Sequence, residues 1–175
     1  MNEQREVNIM LGGEFPTEVP TIGVWCGVDK GALYLADKGI RPLLSCGDFD
    51  SISESAVLFL KNLSEEDKSK IEKLEFPIKK AKSDLELALD YILSLNNDLE
   101  SNNCIKLCEV YGATGTRLDH SLCNIFFLEK YAKKGLQIVL KNDKNEIRYL
   151  TKGIYAIEAK NEKTYHSFLA YPEDC

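Results

Sequence analysis

Residues 105–127, IKLCEVYGATGTRLDHSLCNIFF, decide the fold. Ile105 to Tyr111 is a short apolar run of strand type. Gly112-Ala-Thr-Gly-Thr116 then breaks it, and a helix is expected next, with Leu122, Ile125 and Phe126 on one face. Strand, glycine loop, helix is the half-unit of an α/β fold. The same order recurs upstream. Val7 to Leu11 is an apolar run stopped by Gly12-Gly13, and Thr21 to Val28 is a second one, ended by Asp29-Lys30-Gly31. Ala32 to Lys38 reads as a helix with Gly39 as its C-terminal stop. Leu43 to Cys46 is a third strand, ended by Gly47-Asp48-Phe49-Asp50-Ser51. Ser51 with Glu54, and Ser83 with Glu86, have capping-box spacing. After Ser83, residues Leu85, Ala88, Leu89, Ile92 and Leu93 fall on one helical face. Ser64 to Lys73 is charged and reads as a solvated surface helix, Phe76-Pro77-Ile78 as a short strand, and Leu136 to Leu140 as another.

Strands alternating with helices predict a parallel sheet with helices on both faces, an α/β domain over residues 1–140. From Asn142 the pattern changes to strands alone: Glu146 to Leu150, Gly153 to Glu158 and Tyr165 to Ala170. Residues 141–175 therefore read as the start of a C-terminal all-β, sandwich-like domain. Two or three strands need a partner sheet, so that domain is expected to be truncated.

The 175 residues carry 22 Lys+Arg against 28 Asp+Glu, a net charge of −6, which argues against nucleic acid as a partner. No apolar run has the length of a membrane span. The polar start, Met1 to Glu6, lacks the apolar core of a secretory leader, so the expected location is cytoplasmic. Cysteines stand at 26, 46, 104, 108, 123 and 175, and the histidines are His120 and His166; no zinc-ligand spacing emerges. Cys26, Cys46, Cys108 and Cys123 read as small core residues, Trp25 as core, and His166 as structural or exposed.

Ligands of parallel sheets bind beyond the carboxyl ends of the strands, and the acidic residues collect in those loops: Asp29, Asp48 and Asp50, Asp84, Asp119. Asp48 and Asp50, two apart in an extended loop, suit Mg²⁺, which takes carboxylate oxygen, water and phosphate. Gly112 to Thr116, between a strand and a helix, offers backbone N–H groups to an anion. Arg117 adds a forked grip on phosphate, and His120 is a phosphate donor or part of the helix start. Lys80 or Lys82, in the basic stretch with Lys79, is a candidate for phosphate neutralisation. Neither a Walker A pattern nor a G-x-G-x-x-G is present. Together these features point to a metal–nucleoside triphosphate.

Val28-Asp29-Lys30-Gly31-Ala32, Gly47-Asp48-Phe49-Asp50-Ser51, Ser83-Asp84-Leu85-Glu86 and Gly112-Ala-Thr-Gly-Thr-Arg-Leu-Asp-His120 resemble, in order and spacing, the motifs of the thiamine pyrophosphokinase family. Asn124 fits the asparagine one turn after the Asp-His pair. The resemblance runs from about Ile9 to the end. It implies transfer of a pyrophosphoryl group from ATP to thiamine, giving thiamine diphosphate and AMP. It also implies an α/β nucleotide domain, a β-sandwich-like C-terminal domain, and a homodimer with thiamine near the subunit interface. Carried over by motif, Asp48, Asp50 and Asp84 hold Mg²⁺ with Asp29 nearby, and with Arg117 they form the catalytic set. Thr114, Gly115, Arg117, Asp119 and His120 contact the nucleotide, and Lys30, Gly31, Ser51, Ser83, Thr116 and Asn124 complete its site. Three departures stand out: Ala81 where the family has an Asp, Ser83 for its Thr, and Thr116 for a second Gly of the loop. The family's sequences also continue beyond Cys175. The residues themselves leave two other functions open: pyrophosphoryl transfer to a different alcohol, such as a hydroxymethylpterin, and a non-catalytic nucleotide-binding module.

Overall fold

A computed structural model describes residues 5–42, 44–47, 72–75, 82–97, 104–115, 117–157 and 165–170. Its frame is one sheet of seven strands: β1 (Arg5–Met10), β2 (Val24–Val28), β3 (Leu44–Gly47), β4 (Glu72–Glu75), β5 (Ile105–Tyr111), β6 (Gln137–Lys141) and β7 (Glu146–Arg148). The spatial order is β4-β3-β2-β1-β5-β6-β7. β1 to β6 are parallel, and β7 returns antiparallel on β6. The chain builds outward from β1 in one direction as far as β4, then restarts at β5 on the other side of β1. That reversal, between β1 and β5, is where an open parallel sheet makes its ligand crevice.

Alternation along the strands divides the core between the two faces. Val7, Ile9, Cys26, Val28, Cys108 and Val110 face the layer that holds helices α2 (Asp84–Leu95) and α3 (Leu118–Ala132). Met10, Trp25 and Tyr111 face α1 (Lys30–Asp37), packing on Leu35 and Ile40. α1 stops as its sequence predicts. Gly39 takes φ +71, its N–H reaches Ala36 O (2.9 Å), and Ile40 N–H reaches Leu35 O (2.8 Å). This is a Schellman closure, with Ile40 packed on Leu35 as its apolar contact.

α2 follows its apolar pattern, burying Leu85, Ala88, Leu89 and Ile92. The Ser83 hydroxyl accepts the Glu86 amide at 3.2 Å, but the Glu86 carboxylate pairs with Lys130 of α3. A second tie between these helices is the buried Tyr131, whose hydroxyl is shared between Asp90 Oδ1 (2.8 Å) and Glu86 O (3.0 Å). Partial burial pushes the Asp90 carboxyl up. The bonds from Lys82 (2.6 Å) and Tyr131, with the Lys134 charge, outweigh it and hold Asp90 below the usual carboxylate range. Lys82 is thereby engaged on the side of α2.

Several expectations change. α3 buries Ser121, Asn124, Leu128 and Tyr131, whereas Leu122 and Phe126 are exposed and Ile125 is half-buried. The inward positions of its first turns are polar because Asn124 binds the Ala113 carbonyl of the loop and Ser121 bonds back to the Arg117 carbonyl at the helix's own start, so apolar periodicity marks the wrong face there. Cys123 is exposed for the same reason; Cys26, Cys46 and Cys108 are core as expected. Burial pushes the Cys108 thiol up to about 12, and the Cys46 contact (3.5 Å) with burial raises Cys26 well above an ordinary thiol. A strand stands at Glu72–Glu75, its first two residues within what reads as a charged helix; among the described residues it pairs with β3 at the edge of the sheet, and an edge strand has no need of an apolar pattern. Phe76 to Ile78 and the Ser51–Glu54 box lie outside the described residues. β7 is shorter than expected and extends the main sheet past Leu140. Residues 151–157 and 165–170 are irregular and exposed, His166 among them. Among the described residues no helix is long and apolar enough to cross a membrane.

Candidate active site

The crevice between β1 and β5 is closed at its base by backbone alone. Leu11 N–H reaches Tyr111 O (2.9 Å), Gly13 N–H reaches Gly112 O (3.0 Å) and Glu14 N–H reaches Thr114 O (2.8 Å). The loop after β1 is thus zipped to the glycine loop after β5. The approach is too close for side chains: a Cβ on Gly13 would stand 2.3 Å from Gly112 O, and one on Gly112, at φ +65, would stand 2.4 Å from Leu11 O. A fourth bond comes from α3, where the buried Asn124 donates Nδ2 to Ala113 O at 2.7 Å. Three successive carbonyls, of residues 112, 113 and 114, are therefore turned into the protein. Among the described residues the amides of Ala113, Thr114 and Gly115 meet no backbone carbonyl, the polarity an anion requires.

α3 begins at this loop. Arg117 is its N-cap residue and sends Nη2 to Asp119 Oδ2 (2.6 Å) and Nε to Asp119 Oδ1 (3.3 Å). The bonds and charge of Arg117, with a backbone bond at His120, hold the Asp119 carboxyl below the usual range. His120 Nε2 is 3.9 Å from the same carboxylate. All three side chains are exposed.

On the other side of β1 is the turn from β2 into α1. Asp29, half-buried, has φ +48 and ψ −121, the one non-glycine with positive φ among the described residues. Such a conformation costs about 1–3 kcal/mol and is characteristic of functional turns. It is held by Asp29 N–H to Cys46 O (2.9 Å) and by Ala32 N–H to Asp29 O (3.0 Å). Asp29→Gly is expected to change stability in urea unfolding by the strain relieved, about 1 kcal/mol, less what the side chain's own interaction contributes. A loss of stability would show that the Asp29 side chain holds the turn together. Lys30 is exposed in the first turn of α1, and Gly31 is buried against Met10. Asp84, half-buried, opens α2 behind the Ser83 cap.

The carboxyl rim thus gathers Asp29, Lys30, Gly31, Thr114, Gly115, Arg117, Asp119 and His120, with Asn124 beneath the loop. Asp48, Asp50, Ser51 and Thr116 lie outside the described residues; Gly47, the last of β3, ends beside Val28-Asp29. Two contributors escape the motif reading. Gly12-Gly13 is read there only as a strand stop, although a glycine pair after the first strand is the same signal as the loop at 112. Asn142, whose Nδ2 reaches Thr114 Oγ1 at 3.1 Å, carries no composition signal at all.

Residues 17–140 match the profile of the thiamin pyrophosphokinase catalytic domain. The chain is 36% identical to the thiamine pyrophosphokinase of Bacillus subtilis strain 168, over 97% of this chain and 76% of that protein. The crystal structure of a Bacillus subtilis thiamine pyrophosphokinase superposes with TM-score 0.64 at 31% identity, covering 82% of this chain and 63% of the other. The yeast thiamin pyrophosphokinase structure shares the fold, with TM-score 0.60 at 13% identity over 80% of this chain and 59% of that one. The chain thus spans about three quarters of the curated relative and somewhat under two thirds of the solved bacterial structure. With the catalytic-domain profile matched over residues 17–140, and with 36% identity to the Bacillus enzyme over 97% of this chain, the chain belongs to the thiamin pyrophosphokinase family.

Proposed function

We propose that this chain transfers the pyrophosphoryl group of ATP to the hydroxyethyl oxygen of thiamine, releasing AMP and thiamine diphosphate. The observation that carries this is the 36% identity to the Bacillus thiamine pyrophosphokinase over 97% of the chain. In the reaction the thiamine oxygen bonds to the β-phosphorus, the bond from that phosphorus to the oxygen of the α-phosphate breaks, and the hydroxyl proton is released. Such transfers depend chiefly on positioning and charge neutralisation. The amides of the glycine loop suit the phosphate chain, and Arg117 exchanges its Asp119 partner for a phosphate oxygen. Both ends of that exchange are exposed, so no core group has to move.

The donors fit Mg²⁺. Asp84, which opens α2, offers hard carboxylate oxygen, and Asp48 and Asp50 are assigned to the same ion by motif with Asp29 nearby, while the soft thiols Cys26 and Cys46 are buried in the sheet. Mg²⁺ bound there would neutralise charge on the phosphate oxygens. In the same proposal residues 1–140 hold the nucleotide, and the protein is a cytoplasmic homodimer. Exposed Ile154, Tyr165, Phe168 and Leu169 support a second subunit, because apolar residues this close together in the chain gain by burial.

The test supplies ATP, Mg²⁺ and thiamine and follows AMP. AMP release that depends on thiamine supports the proposal. Release with a hydroxymethylpterin alone would replace the acceptor, and ATP binding without AMP would make the chain a binding module. Arg117→Lys keeps the charge and loses the fork, so KM for ATP is expected to rise about tenfold with the melting curve unchanged, roughly one charge-assisted hydrogen bond. An unaltered KM would leave Arg117 with Asp119 alone.

A further inference from the structure

We propose that Asn142 is a positioning residue for the glycine loop, holding the Thr114 hydroxyl with its proton directed to the ligand; this rests on the nucleotide reading above. Asn142 follows β6 at the carboxyl rim and is half-buried. Its Oδ1 accepts the amides of Lys144 (2.9 Å) and Asn145 (2.7 Å), and its own N–H donates to Asn145 O (3.0 Å). These bonds close the four-residue turn between Lys141 and Glu146, which pair across β6 and β7. Two backbone donors fix which end of the side-chain amide is oxygen, so the NH₂ end is the one that meets Thr114 Oγ1 at 3.1 Å. A hydroxyl has one proton and two lone pairs. Because Thr114 Oγ1 accepts from Asn142, its proton remains to be donated elsewhere, and a phosphate oxygen is an acceptor-only group. The Thr114 carbonyl is already taken by Glu14 N–H, so carbonyl and hydroxyl are fixed from two sides of the crevice.

The same turn holds a second loop. Asp143 accepts the Thr17 N–H at 2.8 Å, and the bonds from Thr17 keep its carboxyl below the usual range. Thr17 belongs to the connection from β1 to β2, whose Pro16 carbonyl accepts the Tyr34 hydroxyl of α1 at 2.7 Å. One hairpin turn therefore ties together the loops on both sides of the crevice, and its position on Thr114 is a property of the site as well as of the hairpin.

A double-mutant cycle separates this role from turn formation. Asn142→Ala is expected to raise KM for ATP about tenfold in the Thr114 background and less than twofold in a Thr114→Val background, the loss of one hydrogen bond counted once. Equal losses in both backgrounds would mean a turn-only role and overturn the proposal. Asn142→Asp keeps a side-chain oxygen to accept both turn amides, so the hairpin folds, but its other oxygen draws the Thr114 proton inward. It should lose ATP affinity with Thr114 present and much less with Val; ATP affinity unchanged in the Thr114 background would also overturn it. Amide hydrogen exchange at Gly13 and Glu14, whose N–H groups are bonded to the carbonyls of Gly112 and Thr114, should speed up about tenfold in Asn142→Ala without any ligand, and unchanged exchange would refute the clamp directly. Failure of the nucleotide reading shows differently, as an unaltered chain that binds no ATP.

Discussion

Asp84→Asn is expected to cut ATP-dependent turnover by about 10²–10³-fold, the usual cost of removing one preorganised electrostatic group from a reacting centre. Asp84 occupies the first position of α2, behind a cap in which Ser83 Oγ accepts Glu86 N–H. Asparagine keeps size and shape there, the cap is untouched, and the apolar face of α2 lies elsewhere on the helix. Loss of the acidic group at a helix N-terminus costs about 0.3–1 kcal/mol, and any further drop measures the contact that the carboxylate itself makes. Turnover and thermal melting measured together distinguish the outcomes. Full activity would remove Asp84 from the metal set, and joint loss of fold and activity would make its role structural. Raised Mg²⁺ that partly restores the rate would place the carboxylate beside the ion.

The largest effect on the fold is expected at Gly31. A Cβ there would lie 2.0 Å from Met10 O and 2.5 Å from Met10 C, both main-chain atoms of the central strand. Neither retreats without breaking β1 from its neighbours, so Gly31→Ala should cost about 3 kcal/mol or more, at the top of the range for overpacking. Against typical stabilities of about 5–15 kcal/mol that is enough to populate unfolded chain. Gly39→Ala is the control. Nothing lies within 4 Å of the added Cβ, and only the positive φ of +71 opposes it, so about 1 kcal/mol is expected. Urea midpoints that fall equally for both would show that conformation, not space, sets the cost at Gly31.

Much of this fold was written in local patterns. The stretch from Ile105 onward gave strand, loop and helix in the right order, because a short apolar run, two glycines and a following helix each have their own signal. The α2 face was legible because every inward position is apolar. α3 was not, since Asn124 turns inward to bond the loop and Ser121 to bond the Arg117 carbonyl, while Leu122 and Phe126 face out. β4 was illegible for a different reason: Glu72–Glu75 is an edge strand whose place is set by pairing with β3. At the site, motif residues such as Asp29, Thr114 and Arg117 could be named from sequence. The zipper of Gly12-Gly13 onto Gly112 and the reach of Asn142 to Thr114 could not. Both join residues far apart in the chain, and backbone contact leaves no side-chain signature.

The placement of β1 also governs how the molecule is made. Its outer neighbour β2 follows within twenty residues, but its other neighbour, β5, begins at Ile105, and Asn8 pairs with Glu109. One edge of the central strand therefore waits for polypeptide about a hundred residues downstream. At about 5–20 residues per second on a ribosome, that is on the order of 5–20 s during which Val7 and Ile9 stand beside an open strand edge. Closing so long a loop is entropically costly and slow. The nascent chain is accordingly most exposed to chaperones, and to pairing with other nascent chains, just before residue 111 emerges. Slowing synthesis over residues 80–105 should lower the soluble yield more than slowing it over residues 145–170.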